Sequence, residues 1–198
     1  MRIIGGALRG RTLLSARGRE TRPTADRRRE SLFSILGAAV PEAAALDLFA
    51  GTGALGLEAL SRGAVFAAFV EIDRAALDVI RKNIDRCGVA DAAAVIRCNA
   101  AAHLTPLKGL GRRFDLIFMD PPYGRDLVRP ALENLLRADL LTAGARIVVE
   151  HAPGDPLMET TRNPQRPNSS TQPFTLTDRR KYGKTEISFF EVRETHNP

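Results

Sequence analysis

Between Ala44 and Glu150 the sequence alternates short apolar runs with segments in which apolar residues recur at helical spacing. Strands that alternate with helices fold as a mostly parallel sheet with helices on both faces. The pattern therefore predicts a doubly wound, Rossmann-like α/β fold. The predicted strands are Ala45–Ala50, Val65–Ile72, Ala94–Cys98, Leu116–Met119 and Arg146–Glu150.

The segment before this core differs from it in composition. Residues 1–22 combine arginine with several glycines and short apolar pairs, which predicts a small β arm. A helix is predicted over 24–40, with Thr24 as its N-cap and Pro41 ending it. We therefore expect an arm over 1–22 and a second domain over 23–198.

Beyond the core, which we expect to cover 44–152, two further segments are predicted. Residues 153–173 are rich in Pro, Asn, Ser and Thr and predict a long loop. Two runs of strand-forming residues follow over 174–193, separated by Gly183-Lys184, and predict a closing antiparallel hairpin.

All of the net charge of +6 lies at the start of the chain. Residues 1–36 contain nine arginines against three acidic side chains, while the remainder has equal numbers of basic and acidic groups. A solvated basic face is one interpretation, but arginine suits phosphate through its planar, bidentate guanidinium. The asymmetry favours a polyanion-binding arm. The candidate contacts are Arg2, Arg9, Arg11, Arg27, Arg28 and Arg29.

The remaining composition excludes several classes of protein. Cys87 and Cys98 stand outside any Cys/His ligand cluster, so we expect buried thiols, a reducing cytoplasmic setting and no metal site. The three histidines show no partner spacing and are interpreted as ordinary surface or loop residues. No stretch reaches membrane-spanning length, so we expect no membrane partner.

A glycine motif, Gly51-Thr-Gly-Ala-Leu-Gly56, joins the first predicted strand to a helix. Such glycines permit a tight turn and a close approach to a nucleotide-type cofactor, and an acidic residue about 20 positions on binds its ribose. Glu71 has this spacing, with Ile72 beside it. Gly51, Thr52, Gly53, Glu71 and Ile72 are therefore candidate cofactor residues, and both NAD and S-adenosylmethionine remain open at this point.

Three features favour S-adenosylmethionine. Asp47 precedes the glycines, where a negative charge suits a cationic sulfonium better than a pyrophosphate. Asn99-Ala100 follows the third strand and can hydrogen-bond an adenine edge. Asp120-Pro-Pro-Tyr123 follows the fourth strand, and ligands of open α/β sheets bind at the carboxyl ends of the strands. Asp120 is therefore expected to face the cofactor.

This last motif is suited to chemistry on an exocyclic amine of a base. Such a nitrogen is a poor nucleophile because its lone pair is delocalised into the ring. Asp120 and the Pro121 carbonyl can accept hydrogen bonds from its two N–H groups, and Pro122 helps to fix that geometry. Tyr123 can stack on an extruded base. A simple strand-ending turn is the alternative, and it is disfavoured because both motifs follow predicted strands.

The sequence resembles the bacterial 16S rRNA guanine-N2 methyltransferases of the RsmD type over nearly its whole length. The similarity lies in Met1-Arg-Ile-Ile-Gly-Gly-Ala-Leu-Arg-Gly-Arg11, Arg22-Pro-Thr-Ala-Asp-Arg-Arg-Arg-Glu-Ser-Leu-Phe33, Leu46-Asp-Leu-Phe-Ala-Gly-Thr-Gly-Ala-Leu-Gly-Leu-Glu58, Val70-Glu-Ile-Asp73, Asn99-Ala100 and Asp120-Pro-Pro-Tyr123. Asp-Pro-Pro-Tyr alone is shared with DNA amino-methyltransferases. The Arg-Pro-Thr stretch together with the glycine motif is much more specific.

The resemblance implies a Rossmann-like, S-adenosylmethionine-dependent methyltransferase acting on the N2 amine of a guanine in 16S rRNA. It also implies action on RNA already bound by ribosomal proteins, in 30S particles, and contacts from Arg22 and Thr24 to the cofactor carboxylate. We expect a monomer. Residues 153–173 match no family motif.

Two other functions remain as alternatives. A DNA N6-adenine methyltransferase shares the chemistry but usually needs an added region that reads the major groove, for which this chain has little room. A non-catalytic RNA-binding module would have no use for Asp120-Pro-Pro-Tyr123.

Overall fold

The computed structural model describes residues 1–15, 23–122, 124–154 and 173–193. The chain forms two compact units, Met1–Arg97 and Cys98–Pro198. Within the described ranges, every strand predicted for the core and both strands of the hairpin are present, with bounds that differ by a few residues. Most of the predicted loop, residues 155–172, lies outside these ranges.

In the described part of the first unit, three parallel strands lie in the order β3-β2-β1. They are β1 (Ala44–Leu48), β2 (Phe66–Glu71) and β3 (Ala93–Arg97). Every residue of β1 is buried, which is typical of a parallel strand covered on both faces. The connections between these strands contain α2 (Ala54–Ser61) and α3 (Arg74–Cys87).

Helix α3 begins and ends as the sequence predicts. The Asp73 Oδ1 accepts a hydrogen bond from the Ala76 N–H at 2.8 Å, which is the geometry of an N-cap. Gly88 follows the last turn in the left-handed conformation, with φ of 67°. The buried side of the helix includes Leu77, Ile80, Ile84 and Cys87.

The predicted arm is described over residues 1–15, which fold back on themselves. The Ile3 N–H donates to the Arg11 carbonyl, and the Gly10 N–H donates to the Ile3 carbonyl, each at 2.9 Å. A single antiparallel bridge joins Arg2 to Thr12. Regular strands do not develop in this described part, because successive turns around Gly6 and Gly10 leave too few residues to extend the pairing.

The helix predicted over 24–40 is α1 (Pro23–Leu36), followed by a 3-10 turn over Gly37–Ala39. Proline is favoured at the first helical position because its missing N–H has no intrahelical partner there. Thr24 therefore lies in the first turn, and its prediction as the N-cap is wrong. The α-helix ends at Leu36 and not at Pro41, because the next residue, Gly37, has a φ of 46°.

Among the residues of the second unit that the structure describes, four strands lie in the order β4-β5-β7-β6. The strand β4 (Phe114–Met119) pairs in parallel with β5 (Leu141–His151). The strand β7 (Thr185–Val192) runs antiparallel to both β5 and β6 (Phe174–Tyr182), which gives the predicted closing hairpin. Helix α4 (Val128–Ala138) connects β4 to β5.

Both cysteines are buried and free, as predicted. Burial raises the pKa of each thiol, so both behave as small apolar side chains at neutral pH. Within the described ranges, no helix is long and apolar enough to cross a membrane.

Candidate active site

A glycine loop, which we define as Gly51–Gly53, connects β1 to α2. Gly51 and Gly53 have φ values of 56° and 75°, in the left-handed region that side chains with a Cβ disfavour. The Gly53 N–H donates to the Ala50 carbonyl at 2.7 Å, and α2 begins at the next residue. The loop therefore turns tightly and presents the N-terminus of a helix, as the motif predicts.

The third glycine of the motif has a packing role. A Cβ added to Gly56 would lie 2.4 Å from Cε1 of Phe69, a buried ring on β2. Helix α2 can approach β2 this closely only because Gly56 has no side chain. Two glycines of the motif thus shape the loop, and the third sets the spacing between helix and strand.

Glu71 lies at the end of β2 and reaches the glycine loop. Its Oε2 accepts a hydrogen bond from the Gly51 N–H at 2.9 Å. Its Oε1 accepts from the N–H groups of Ile72, at 2.7 Å, and Asp73, at 3.0 Å. The structure thus brings Gly51 and Glu71 together, as their spacing predicts, and the Ile72 side chain beside them is 54% exposed.

Asp47 is only 2% exposed on β1. Its Oδ2 accepts a hydrogen bond from the Gly56 N–H at 3.0 Å, in the first turn of α2. A carboxylate at this position is stabilised by the positive end of the helix dipole. The buried negative charge therefore lies directly beneath the start of α2, the helix that the glycine loop leads into.

In the second unit, Asn99 and Ala100 form a turn after β3. The Asn99 Oδ1 accepts from the Ala101 N–H at 3.1 Å, and the Asn99 carbonyl accepts from Ala102 and His103. Asn134 on α4 donates from Nδ2 to the Ala100 carbonyl at 3.0 Å. Asn134 is buried and was not predicted as a functional residue, because nothing in its local sequence signals a carbonyl 34 positions away.

Asp120 follows the last residue of β4 and is exposed, while Pro121 is buried and Pro122 is exposed. The carboxylate therefore lies at the carboxyl end of a buried strand, as the sequence predicts, and the following proline fixes the backbone. Arg22 and Tyr123 lie outside the described residues. Of Thr24, the structure describes only the position in the first turn of α1.

Three of the arginines predicted to contact RNA lie together. Arg2, Arg9 and Arg27 are exposed and line one cleft of about 870 Å³ between residues 1–12 and α1. Asp26 and Glu30 also line the cleft, and a 3.9 Å ion pair joins Arg2 to Asp26. Arginines that converge from two segments suit a phosphate-bearing chain better than isolated surface charges do.

Arg29 has a different environment. It is only 6% exposed, and its guanidinium donates to the Arg2 carbonyl at 2.5 Å and to Asp26 at 3.1 Å. Its Nε lies 3.5 Å from Oε2 of Glu58, a carboxylate with no exposed surface. Burial lowers the pKa of Arg29, although the negative charges of Glu58 and Asp26 partly oppose this shift. The Arg29 guanidinium is thus buried among these partners and leaves little surface for a ligand, and its contact with RNA stays a prediction.

Glu58 is the centre of this network. Its carboxylate accepts hydrogen bonds from the N–H groups of Ile4 and Gly5, each at 2.8 Å, and from the Arg62 Nε at 2.8 Å. Residues 1–15 are thus held on α2 by a buried charge. Glu58 was not predicted as a functional residue, although it ends the stretch from Leu46 to Glu58 that resembles the family.

The two remaining candidate arginines lie outside the cleft, and their contact with RNA stays a prediction. Arg11 is exposed but donates from its guanidinium to the Arg86 carbonyl in the last turn of α3. Arg28 is half-buried on α1. Neither lines the cleft that contains Arg2, Arg9 and Arg27. Among the residues described, no group of three or more His, Cys, Asp or Glu side chains could hold a metal ion.

Comparisons with known proteins identify the family of this chain. A family model described as "Conserved hypothetical protein 95" matches residues 1–191. The chain belongs to this family. The ribosomal RNA small subunit methyltransferase D of Escherichia coli (strain K12) is 41% identical over 150 residues, covering 76% of this chain and 74% of that protein. The resemblance to RsmD-type methyltransferases is thereby confirmed.

Two further relatives match almost end to end. The putative rRNA methyltransferase YlbH of Bacillus subtilis (strain 168) is 33% identical over 195 residues, covering 98% of this chain and all of that protein. The solved structure of the putative methyltransferase yhhF from Escherichia coli has a TM-score of 0.78 and 31% identity, covering 98% of each chain. The predicted Rossmann-like methyltransferase fold is therefore confirmed.

Proposed function

We propose that this protein methylates the exocyclic N2 amine of a guanine in 16S rRNA, with S-adenosylmethionine as methyl donor. The coarser function, S-adenosylmethionine-dependent methylation of small-subunit rRNA, follows from membership of the family and from the names of its relatives. The choice of the N2 amine of guanine rests on the resemblance and on the chemistry of Asp120-Pro-Pro-Tyr123.

The residues that would hold the cofactor fit its chemistry. The glycine loop makes its tight turn because Gly51 and Gly53 adopt positive φ values, and it ends at the N-terminus of α2. We propose that Glu71 binds the ribose hydroxyls, that Ile72 packs on the adenine, and that Asn99-Ala100 contacts its edge. Asp47, Thr52 and, on the resemblance, Arg22 and Thr24 complete the set. S-adenosylmethionine supplies an electrophilic methyl group on a sulfonium.

At the acceptor side, Asp120 orients the amine. We propose that the Asp120 carboxylate and the Pro121 carbonyl accept its two N–H groups, which favours a pyramidal nitrogen with an available lone pair. Once the nitrogen has formed its new bond, Asp120 or solvent takes up the proton that it loses. Tyr123 would stack on the base, and Pro122 would limit the motion of the segment. The observation that carries this assignment is the exposed carboxylate of Asp120 immediately after a buried strand.

RNA binding is assigned to the cleft lined by Arg2, Arg9 and Arg27. Guanidinium groups there neutralise phosphates, and recognition by shape suits a structured RNA. We propose that the acceptor is the assembled or partly assembled 30S particle in the cytoplasm, and that the protein acts on it as a monomer.

The decisive experiment offers labelled S-adenosylmethionine with three acceptors in parallel: unmethylated 30S subunits, naked 16S rRNA and duplex DNA. Nucleoside analysis then identifies the product. We expect N2-methylguanosine from 30S subunits. N6-methyladenine from DNA would contradict the proposal and support the DNA methyltransferase alternative. Tight RNA binding without any methyl transfer would support the non-catalytic alternative.

A further inference from the structure

Asn83 on α3 has no exposed surface, and its carboxamide joins two segments that are distant in the sequence. Its Oδ1 accepts a hydrogen bond from the Leu14 N–H at 2.7 Å. Its Nδ2 donates both to the Leu14 carbonyl, at 3.1 Å, and to the Thr52 carbonyl, at 2.9 Å. One side chain thus binds the N-terminal segment (residues 1–15) and the glycine loop at the same time.

Only a carboxamide can make these three bonds. It offers one acceptor oxygen and two N–H groups in a fixed plane, which Leu14 and Thr52 use together. Rotating the amide by half a turn would bring oxygen against two carbonyls and an NH2 group against an N–H. The two bonds to Leu14 therefore fix the direction in which Asn83 donates to Thr52. Burial makes each of these bonds costly to lose.

A second contact joins the same two segments. The Thr52 hydroxyl donates to the sulfur of Met1 at 3.7 Å, and the Leu13 N–H donates to the Met1 carbonyl at 3.0 Å. Thr52 of the glycine loop is therefore linked to both ends of the N-terminal segment, directly to Met1 and through Asn83 to Leu14. The same segment contains Arg2 and Arg9, which line the basic cleft.

We propose that Asn83 is a positioning residue that couples RNA binding at the N-terminal segment to cofactor binding at the glycine loop. The inference rests on the proposed function, since it takes RNA and S-adenosylmethionine as the two ligands. Ordering the N-terminal segment fixes Leu14, which fixes Asn83 and hence the Thr52 carbonyl. A ligand that orders one segment thus lowers the entropic cost of ordering the other. By linkage, each ligand raises the affinity for the other by the same factor.

The test measures the affinity for S-adenosylhomocysteine by equilibrium dialysis, with and without saturating 30S subunits. The affinity for 30S subunits is measured with and without saturating S-adenosylhomocysteine. Each experiment gives a ratio, the affinity for one ligand in the presence of the other divided by the affinity in its absence. For the wild type we expect the two ratios to agree and to be about fivefold or more, the lower end of typical coupling. For Asn83→Leu we expect a ratio near one at a temperature where the variant is folded. A variant that keeps the wild-type ratio would overturn the proposal.

Two matched controls separate coupling from simple loss of structure. Asn134→Leu removes another buried carboxamide, the one that donates to the Ala100 carbonyl, so it should weaken cofactor binding while keeping the ratio. Ser61→Ala removes the hydroxyl that binds Leu8 and Gly5, so it should weaken 30S binding while keeping the ratio. Loss of the ratio in both controls would mean that general loosening, and not Asn83, sets the coupling.

A measurement on the wild type alone covers the case in which Asn83→Leu does not fold. Hydrogen exchange at the Leu14 amide should slow when S-adenosylhomocysteine binds, because Asn83 transmits the order of the glycine loop. Unchanged exchange at Leu14 with the cofactor bound would overturn the inference and leave the proposed function intact. Absence of any binding of cofactor or 30S subunits by the wild type would overturn both.

Discussion

The Glu71 carboxylate accepts a hydrogen bond from the Gly51 N–H at 2.9 Å, although 20 residues separate them in the sequence. Because β1 and β2 are parallel neighbours, their carboxyl ends lie at one edge, and the loop after one strand meets the last residue of the other. The spacing that suggested a cofactor site thus corresponds to a direct contact. Glu71 supports the glycine loop through the same carboxylate that we assign to the ribose.

We expect Glu71→Ala to weaken binding of S-adenosylhomocysteine by roughly 10- to 100-fold, since hydrogen bonds to a charged group contribute about 1.5–3 kcal/mol. Glu71→Gln should lose less, because an amide oxygen in the place of Oε1 can still accept the N–H groups of Ile72 and Asp73. Isothermal titration gives the affinities. Asp85→Ala, which removes an exposed carboxylate from α3, is the control. Equal affinities for wild type and Glu71→Ala would exclude Glu71 from the cofactor site.

Asp120→Ala should lower kcat by about 10²-fold or more, as loss of a positioned polar group typically does, while leaving cofactor affinity near that of the wild type. The reason is that Asp120 is assigned to the amine and not to the cofactor. Single-turnover methylation of 30S subunits checks the rate, with Asp91→Ala, another exposed carboxylate, as the control. Wild-type turnover by Asp120→Ala would eliminate its proposed role.

The three arginines of the cleft should contribute to RNA binding through their charge. Replacing Arg2, Arg9 and Arg27 by Ala should weaken 30S binding and reduce the slope of log K against log salt by about two to three, since each phosphate contact contributes about 0.7–0.9. The matched control replaces three exposed cations of α3, Arg81, Lys82 and Arg86. An equal change in slope for both triple variants would mean that the binding depends only on overall charge.

Local sequence signals account for the elements that were predicted correctly. Asp73 and Gly88 mark the ends of α3 through bonds to residues within one helical turn. The hairpin of β6 and β7 follows from two strand-forming runs around Gly183. In each case the decisive partners are close in the sequence, so the pattern contains the information.

The buried polar groups could not be predicted in the same way. Glu58, Asn83 and Asn134 bind backbone groups 31 to 69 positions away. Almost every residue type has a backbone N–H and carbonyl, so no sequence motif identifies the residue whose backbone will be the partner. His151 is another example: it is buried on β5, with Nε2 2.8 Å from the Ser188 hydroxyl, where an ordinary loop or surface residue was expected.

Arg29→Ala should destabilise the fold more than it affects the salt dependence of RNA binding. It removes one partner from the buried Glu58, and breaking a buried ion pair in this way typically costs about 3–5 kcal/mol. Urea unfolding followed by circular dichroism gives the free energy, with Arg27→Ala, an exposed arginine two residues away on the same helix, as the control. A free energy of unfolding within about 0.5 kcal/mol of the wild type would contradict a buried structural role.

The buried thiols predict how stability depends on pH. Burial raises the pKa of Cys87 and Cys98, so the folded protein holds both protons more tightly than the unfolded chain does. Their contribution is fully present below the unfolded pKa, about 8.5, and is lost as the pH rises through the folded pKa. Each thiol can therefore add up to about 1.4 kcal/mol per pH unit to the loss of stability above that point.

The measurement is the free energy of unfolding from pH 7 to 10. The double variant Cys87→Ala, Cys98→Ala should be less stable than the wild type at pH 7, but its free energy of unfolding should fall less steeply with pH above about 8.5. Parallel curves would show that the two thiols do not cause the alkaline loss.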